Sequence, residues 1–234
     1  AFVWDGNTIA GIWVGKFETT GDETTPTILP NTSSLRNQIV STQFTTSLKF
    51  AGGTLTDGNV TFVGSSKYGL TKYTDSHMMK NSEWGAVAYL SHSQYGINSE
   101  IRINNNNNFT TGCGASVEND TLTSECPIAY GSGVTSYPQS TTGNITGIFD
   151  MSGGAYEYVM ANYGNDTDSS GFTTFPESKY YDLYSNTHFT GSYSTNMSLC
   201  TLETCGGQAL NETIIIKTIK QIIFLIFIIS ILTF

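Results

Sequence analysis

The stretch GIFDMSGGAYEYV, Gly147 to Val159, sets two carboxylates, Asp150 and Glu157, on either side of a Gly153–Gly154 pair. Phe149, Tyr156 and Tyr158 lie between and beside them. Such an arrangement has two chemical uses. The acids and nearby backbone carbonyls can offer oxygens to a hard cation such as calcium, which takes about six to eight of them. Alternatively, the acids can cap or bridge local N–H groups while the aromatics fill a core. Both readings stand at this level.

Sulfur is the second candidate chemistry. Cys113, Cys126, Cys200 and Cys205 form two sequence-local pairs. Zinc would favour a C-x-x-C knuckle or a neighbouring histidine, and neither pair has them. Two local disulfides, Cys113 with Cys126 and Cys200 with Cys205, are the preferred pairing among those that four cysteines allow. Disulfides imply an oxidising compartment, so an extracellular or cell-surface location is expected. The three histidines are scattered and no nucleophile motif accompanies them, so no hydrolase triad is evident.

The elements that must position these residues come from an unusual composition. Of 234 residues, 38% are hydrophobic, 12% aromatic and only 12% charged. Gly, Asn, Thr, Ser and Tyr fill the difference, which favours turns and β-structure over long surface helices. The net charge is −9 with ten Lys plus Arg and no basic stripe, so nucleic acid is not an expected partner. A negative field suits soluble display or cation binding.

GIWVGKF, Gly11 to Phe17, alternates like a strand. Ser41 to Phe50 fits a first helix, with Ser41 or Thr42 as cap and Phe44 and Leu48 four apart; a strand is the competing reading, since Thr and Phe favour β-structure. AGGTLTDGN then breaks the chain. Residues 81 to 96 fit a second helix, capped by Asn81 or Ser82, with Trp84, Val87, Ala88 and Leu90 as its stripe and Gly96 at its end. His92 falls at its last turn as a surface residue. The five asparagines 104 to 108 read as a loop of weak register, and residues 162 to 195 as a long loop region. Asn-x-Ser/Thr tripeptides are frequent but mark acceptors only in a host that glycosylates.

The tail differs in kind. From Ile214 it reads IIIKTIKQIIFLIFIISILTF. Its uncharged run from Gln221 would reach roughly 21 Å as a helix, short of a ~30 Å hydrocarbon core. With Lys217 and Lys220 snorkelling, residues 214–234 could make a marginal membrane anchor. A frameshift product of AT-rich coding sequence is the competing reading. Ala1 opens the chain with no signal peptide in view, as in a mature protein or a fragment.

GNITGIFDMSGGAYEYVM resembles the hallmark of the formylglycine-generating enzyme (sulfatase-modifying factor) family. That pattern is Gly–aromatic or Leu–Tyr–Asp/Asn–Met–x–Gly–Asn–x–Trp–Glu–Trp. Gly147, Phe149, Asp150, Met151, Gly153, Ala155, Tyr156, Glu157 and Tyr158 occupy the corresponding places, with Tyr for both Trp and Gly154 for the usual Asn. GIWVGKFETT resembles the family's opening strand, and the two expected helices fall in the family's order. The matches cover most of residues 11 to 160.

The resemblance implies an α+β, irregular, C-type-lectin-like domain with two helices, short strands and many loops. It would span residues 1–213, C-terminally incomplete, followed by the hydrophobic tail 214–234. It also implies a calcium site: the Asp150 side chain, the Gly153 and Ala155 carbonyls and the Glu157 carboxylate. The family enzyme oxidises a cysteine of a partner protein with molecular oxygen and copper held by a cysteine pair. Around Cys200 and Cys205, however, SLCTLETCGGQ supplies Glu203 and no cation, and no Arg-Gly-Gly precedes it. A reactive thiol pair needs such a positive neighbour or a metal, so the pair reads as structural and copper is not expected. The expected function is therefore a non-catalytic binding or display module for a protein or glycan ligand. The alternatives are a divergent formylglycine-generating oxidase and a structural surface or pilus-associated protein.

Overall fold

The computed structural model describes residues 2–63, 66–116, 121–163 and 170–184. In chain order the elements are β1 (Phe2–Trp4), β2 (Asn7–Ile9), β3 (Thr20–Gly21), β4 (Pro26–Thr27), α1 (Val40–Leu48), β5 (Gly53–Thr56), β6 (Asn59–Phe62), α2 (Asn81–Leu90), β7 (Ala161–Tyr163) and β8 (Asp182–Tyr184). Short 3₁₀ segments cover Lys49–Ala51, Gly133–Gln139 and Ser178–Tyr180. The strands pair only two by two: β1–β2, β3–β4 and β5–β6 antiparallel, and β7–β8 parallel. This is a mixed helix-and-strand architecture in which loops carry most of the chain.

Two hairpins rest on the same turn chemistry. Asp5–Gly6 and Asp57–Gly58 have φ of 48° and 76°, and of 50° and 82°. Positive φ at both central positions is the turn that matches strand twist, and Asp-Gly is among the dipeptides that adopt it most readily. TLTDGN was expected only to break the chain; it forms the β5–β6 turn instead.

The helices bury the expected faces. Phe44 and Leu48 of α1 are fully buried, and Trp84 and Val87 of α2 are buried. Their caps differ from expectation. The residue preceding α1 is Ile39, with no side-chain cap, and the one preceding α2 is Lys80. There the Glu83 carboxylate reaches back to accept the Lys80 N–H at 2.8 Å, one half of a capping box. α2 ends at Leu90, and His92 lies beyond it on the surface, 3.5 Å from Glu100.

Between the helices, Met78 and Met79 complete one apolar core with Trp4, Val159, Met160, Phe172 and Tyr180. Region 162–195 is therefore not only loop: it contributes β8, Phe172 and Tyr180. Likewise Gly11–Phe17, expected as a strand, joins none of the four sheets. Its end is held differently, with Phe149 N–H donating to the Lys16 carbonyl at 2.9 Å. Phe17, Tyr130 and Phe149 then pack ring to ring, with centroids 4.8 to 5.4 Å apart.

Candidate functional site

The loop from Asp150 to Glu157 is shaped by its backbone. Asp150, Gly153 and Gly154 all have positive φ, 65°, 73° and 71°. At Gly153 a Cβ would lie 2.3 Å from the Asn104 carbonyl oxygen; at Gly154 it would lie 2.4 Å from Glu18 Oε1. The glycine pair is thus required by close approach as well as by φ. The Glu18 carboxylate occupies the space that a side chain at position 154 would enter.

Asp150 faces inward. Its Oδ1 accepts from Asn104 Nδ2 at 3.0 Å, and the Gly112 N–H reaches Oδ1 and Oδ2 at 2.8 and 2.9 Å. Beside it lies Glu18, fully buried, with Oε1 accepting the Ala155 N–H at 2.8 Å. Glu18 Oε2 has no hydrogen-bond partner. The Ser34 hydroxyl stands close enough to favour the charged form but lacks hydrogen-bond geometry. Neither carboxylate forms an ion pair among the described residues. Burial raises both above the usual carboxylate range. Asp150 rises to about 7 against the pull of its donors. Glu18 is pushed well up by burial and then by the Asp150 charge.

Asparagines do the joining. The Asn104 N–H donates to the Ser152 carbonyl and its carbonyl accepts from Gly154 N–H, both at 2.7 Å. This is a parallel bridge between Asn104 and Gly153, a pattern that turns the Gly153 N–H and C=O away from Asn104. Asn106 Nδ2 donates to the Thr123 and Glu125 carbonyls, while its Oδ1 accepts from Asn108 and Thr110 N–H. Asn105 Nδ2 donates to the Thr121 carbonyl at 2.9 Å. The weak-register loop expected here is instead a buried hydrogen-bonding spine, with Asn104, Asn105 and Asn106 at most 3% exposed. It binds the segment closed by the Cys113–Cys126 disulfide, whose Cα atoms are 5.5 Å apart.

Of the four expected calcium ligands, Gly153 lies on the surface, Ala155 is buried and Glu157 is partly buried. Trp84 Nε1 donates to Glu157 Oε2 and so aims that carboxylate. No hydrogen bond among the described residues ends on the Gly153 or Ala155 carbonyl. Two carbonyls without a hydrogen-bond donor, together with the Glu157 carboxylate, are oxygens of the kind calcium takes. The Asp150 side chain stands apart, committed to Gly112 and Asn104. Among the described residues no three His, Cys, Asp or Glu side chains group as a metal cluster, so a cation here would depend on backbone oxygens.

Cys200, Cys205 and the tail 214–234 lie outside the described residues; among the described residues no helix is long and apolar enough to cross a membrane. The Cys113–Cys126 bond is compatible with an extracellular location. Glu18, Asn104 and Gly112 were not singled out from sequence. The five-asparagine run was the one local signal for them. Compared with known proteins, the chain matches no family model, and a search of curated proteins returned no match.

Proposed function

We propose that this chain is a non-catalytic extracellular or cell-surface binding module on a formylglycine-generating-enzyme-like scaffold, displaying its loops to a protein or glycan ligand. The supporting observation is where the reactive groups point. Glu18 and Asp150 are buried and take backbone N–H groups, Glu157 is held by Trp84, and Cys113 is bonded to Cys126. These groups shape the loops from inside, which supports a binding role for the surface they hold.

The described surface carries several exposed aromatics. Trp13 is 64% and Tyr156 48% exposed, and Tyr156 directly follows the Ala155 carbonyl. Tyr-, Ser-, Gly- and Asn-rich loops provide rigid aromatic contact with adaptable hydrogen bonding. The motif loop would hold calcium through the Gly153 and Ala155 carbonyls and Glu157. The ion would supply charge and stiffness next to Tyr156.

The test uses the full chain produced with its disulfides. It is applied to a glycan array, and separately mixed with copper and a cysteine-containing peptide while oxygen is followed. The expected result is glycan retention that Tyr156→Ala removes without lowering the melting temperature, and no oxygen uptake. Stoichiometric oxygen consumption with conversion of the peptide cysteine to an aldehyde would overturn the reading in favour of an oxidase.

A further inference from the structure

We infer that Asp150 is not a ligand of the motif loop's cation but, with Asn104 and Glu18, a positioning residue that folds this loop from inside. The inference rests on the calcium reading above and departs from the ligand set that the family resemblance implies. Three observations carry it. The Asp150 oxygens already receive the Gly112 N–H and the Asn104 amide. The Asn104 backbone grips Ser152 and Gly154 in a parallel bridge, a pattern that turns the Gly153 carbonyl away from the Asn104 backbone. Glu18 draws the Ala155 N–H inward at 2.8 Å. The interior groups therefore hold the Gly154 and Ala155 N–H groups and commit the Asp150 oxygens, while no hydrogen bond among the described residues ends on the Gly153 or Ala155 carbonyl, which are left to a cation. Outer groups that orient ligands in this way tune affinity without touching the ion.

Glu157 belongs to the other side of this division. It is the carboxylate aimed by the Trp84 indole, so terbium, a calcium substitute excited through a nearby indole, reports binding there. The experiment measures sensitised terbium emission and the melting temperature in chelator for the full chain and three variants. Glu157→Gln is expected to lose about 100-fold or more in terbium affinity, as an anionic ligand should, with the metal-free melting temperature nearly unchanged. Asp150→Asn and Asn104→Ala are each expected to lower the metal-free melting temperature by about 4 to 8 °C. Where still folded, they should lose less than about tenfold in affinity.

An Asp150→Asn chain that fails to fold without metal, while the parent folds, is the same result in stronger form. An Asp150→Asn variant with unchanged metal-free melting and an affinity loss equal to that of Glu157→Gln would make Asp150 a ligand and overturn the inference. So would a parent chain that folds only with metal. If the parent takes up no terbium, the calcium reading fails by itself, and the metal-free melting of the two interior variants still decides the clamp.

Discussion

The helix-bearing half and the motif-bearing half of this molecule are stabilised by different physics. Around α1 and α2, Phe44, Leu48, Met78, Met79 and Tyr180 are buried to 1% exposure or less, and the cohesion is apolar packing. Around Asp150 the Phe17, Tyr130 and Phe149 rings pack beside a larger share of buried polar residues, Glu18, Asn104, Asn105, Asn106 and Thr111, and hydrogen bonding to backbone adds to the packing. Apolar packing degrades gradually as volume is removed. A buried polar network depends on every partner, since each orphaned group retains its full desolvation cost. The second half should therefore respond to single-atom changes and to pH, while the first should respond to volume.

The largest expected effect lies in the apolar half. Phe44→Ala removes a ring packed edge-on against Phe172 and Tyr180 and should cost about 3–5 kcal/mol, read by denaturant unfolding. A loss under about 1 kcal/mol would mean that this core is not the main source of stability. Next comes the disulfide. Replacing Cys113 and Cys126 with serine opens a closure of 13 residues in sequence separation, with an expected loss of about 3 kcal/mol. In that double-serine variant, the Asn108 and Thr110 amides bonded to Asn106 should lose exchange protection before those of α1; uniform loss would argue against two separable halves.

The pH response separates the halves more sharply. Asp150 and Glu18 have folded pKa values raised by burial. Between the unfolded value near 4 and the folded value, the native state holds protons that the unfolded state has released. Stability should thus fall as pH rises from about 4 to about 7, by up to about 1.4 kcal/mol per pH unit for each group. Glu83 works in the opposite direction. Burial opposes its charge, but the His77 hydrogen bond and charge, with the Lys80 N–H, outweigh this and lower its pKa, so its contribution is lost as pH falls through that value. The melting temperature in chelator should peak near pH 4 and decline toward pH 7. A melting temperature that climbs steadily from pH 5 to 8 would contradict the buried acid pair.

The smallest effect expected is at the glycine pair. Gly154→Ala introduces a Cβ at φ 71° against Glu18 Oε1, for a loss of about 1–2 kcal/mol. Pairing it with Glu18→Gln in a double-mutant cycle should give a coupling above about 0.5 kcal/mol, and strict additivity would remove Glu18 from the loop.

How much of this was legible in sequence follows the same division. Phe44 with Leu48, and Trp84 with Val87, announce their helices because helical periodicity is local. The caps were misplaced because Glu83 serves α2 from within the helix, three residues after Lys80. The two Asp-Gly hairpins were present as dipeptides and went unread as turns. The clamp was not legible, since Glu18 meets Ala155 across 137 residues and no local pattern encodes that pairing. The asparagine run carried a compositional signal, but side-chain amides bonding distant carbonyls leave no periodicity. The Asp150–Glu157 motif was visible as a cluster; which way its carboxylates turn depends on Gly112 and Asn104.

Amide hydrogen exchange of the metal-free full chain tests the central claim most directly. If the motif loop is built from inside by Asp150, Asn104 and Glu18, the Gly112, Gly154 and Ala155 amides should exchange as slowly as those in α1 and α2 and change little when calcium is added. Exchange of these three amides at near-random-coil rates, with α1 and α2 still protected, would contradict it and assign the order of the loop to a bound ion.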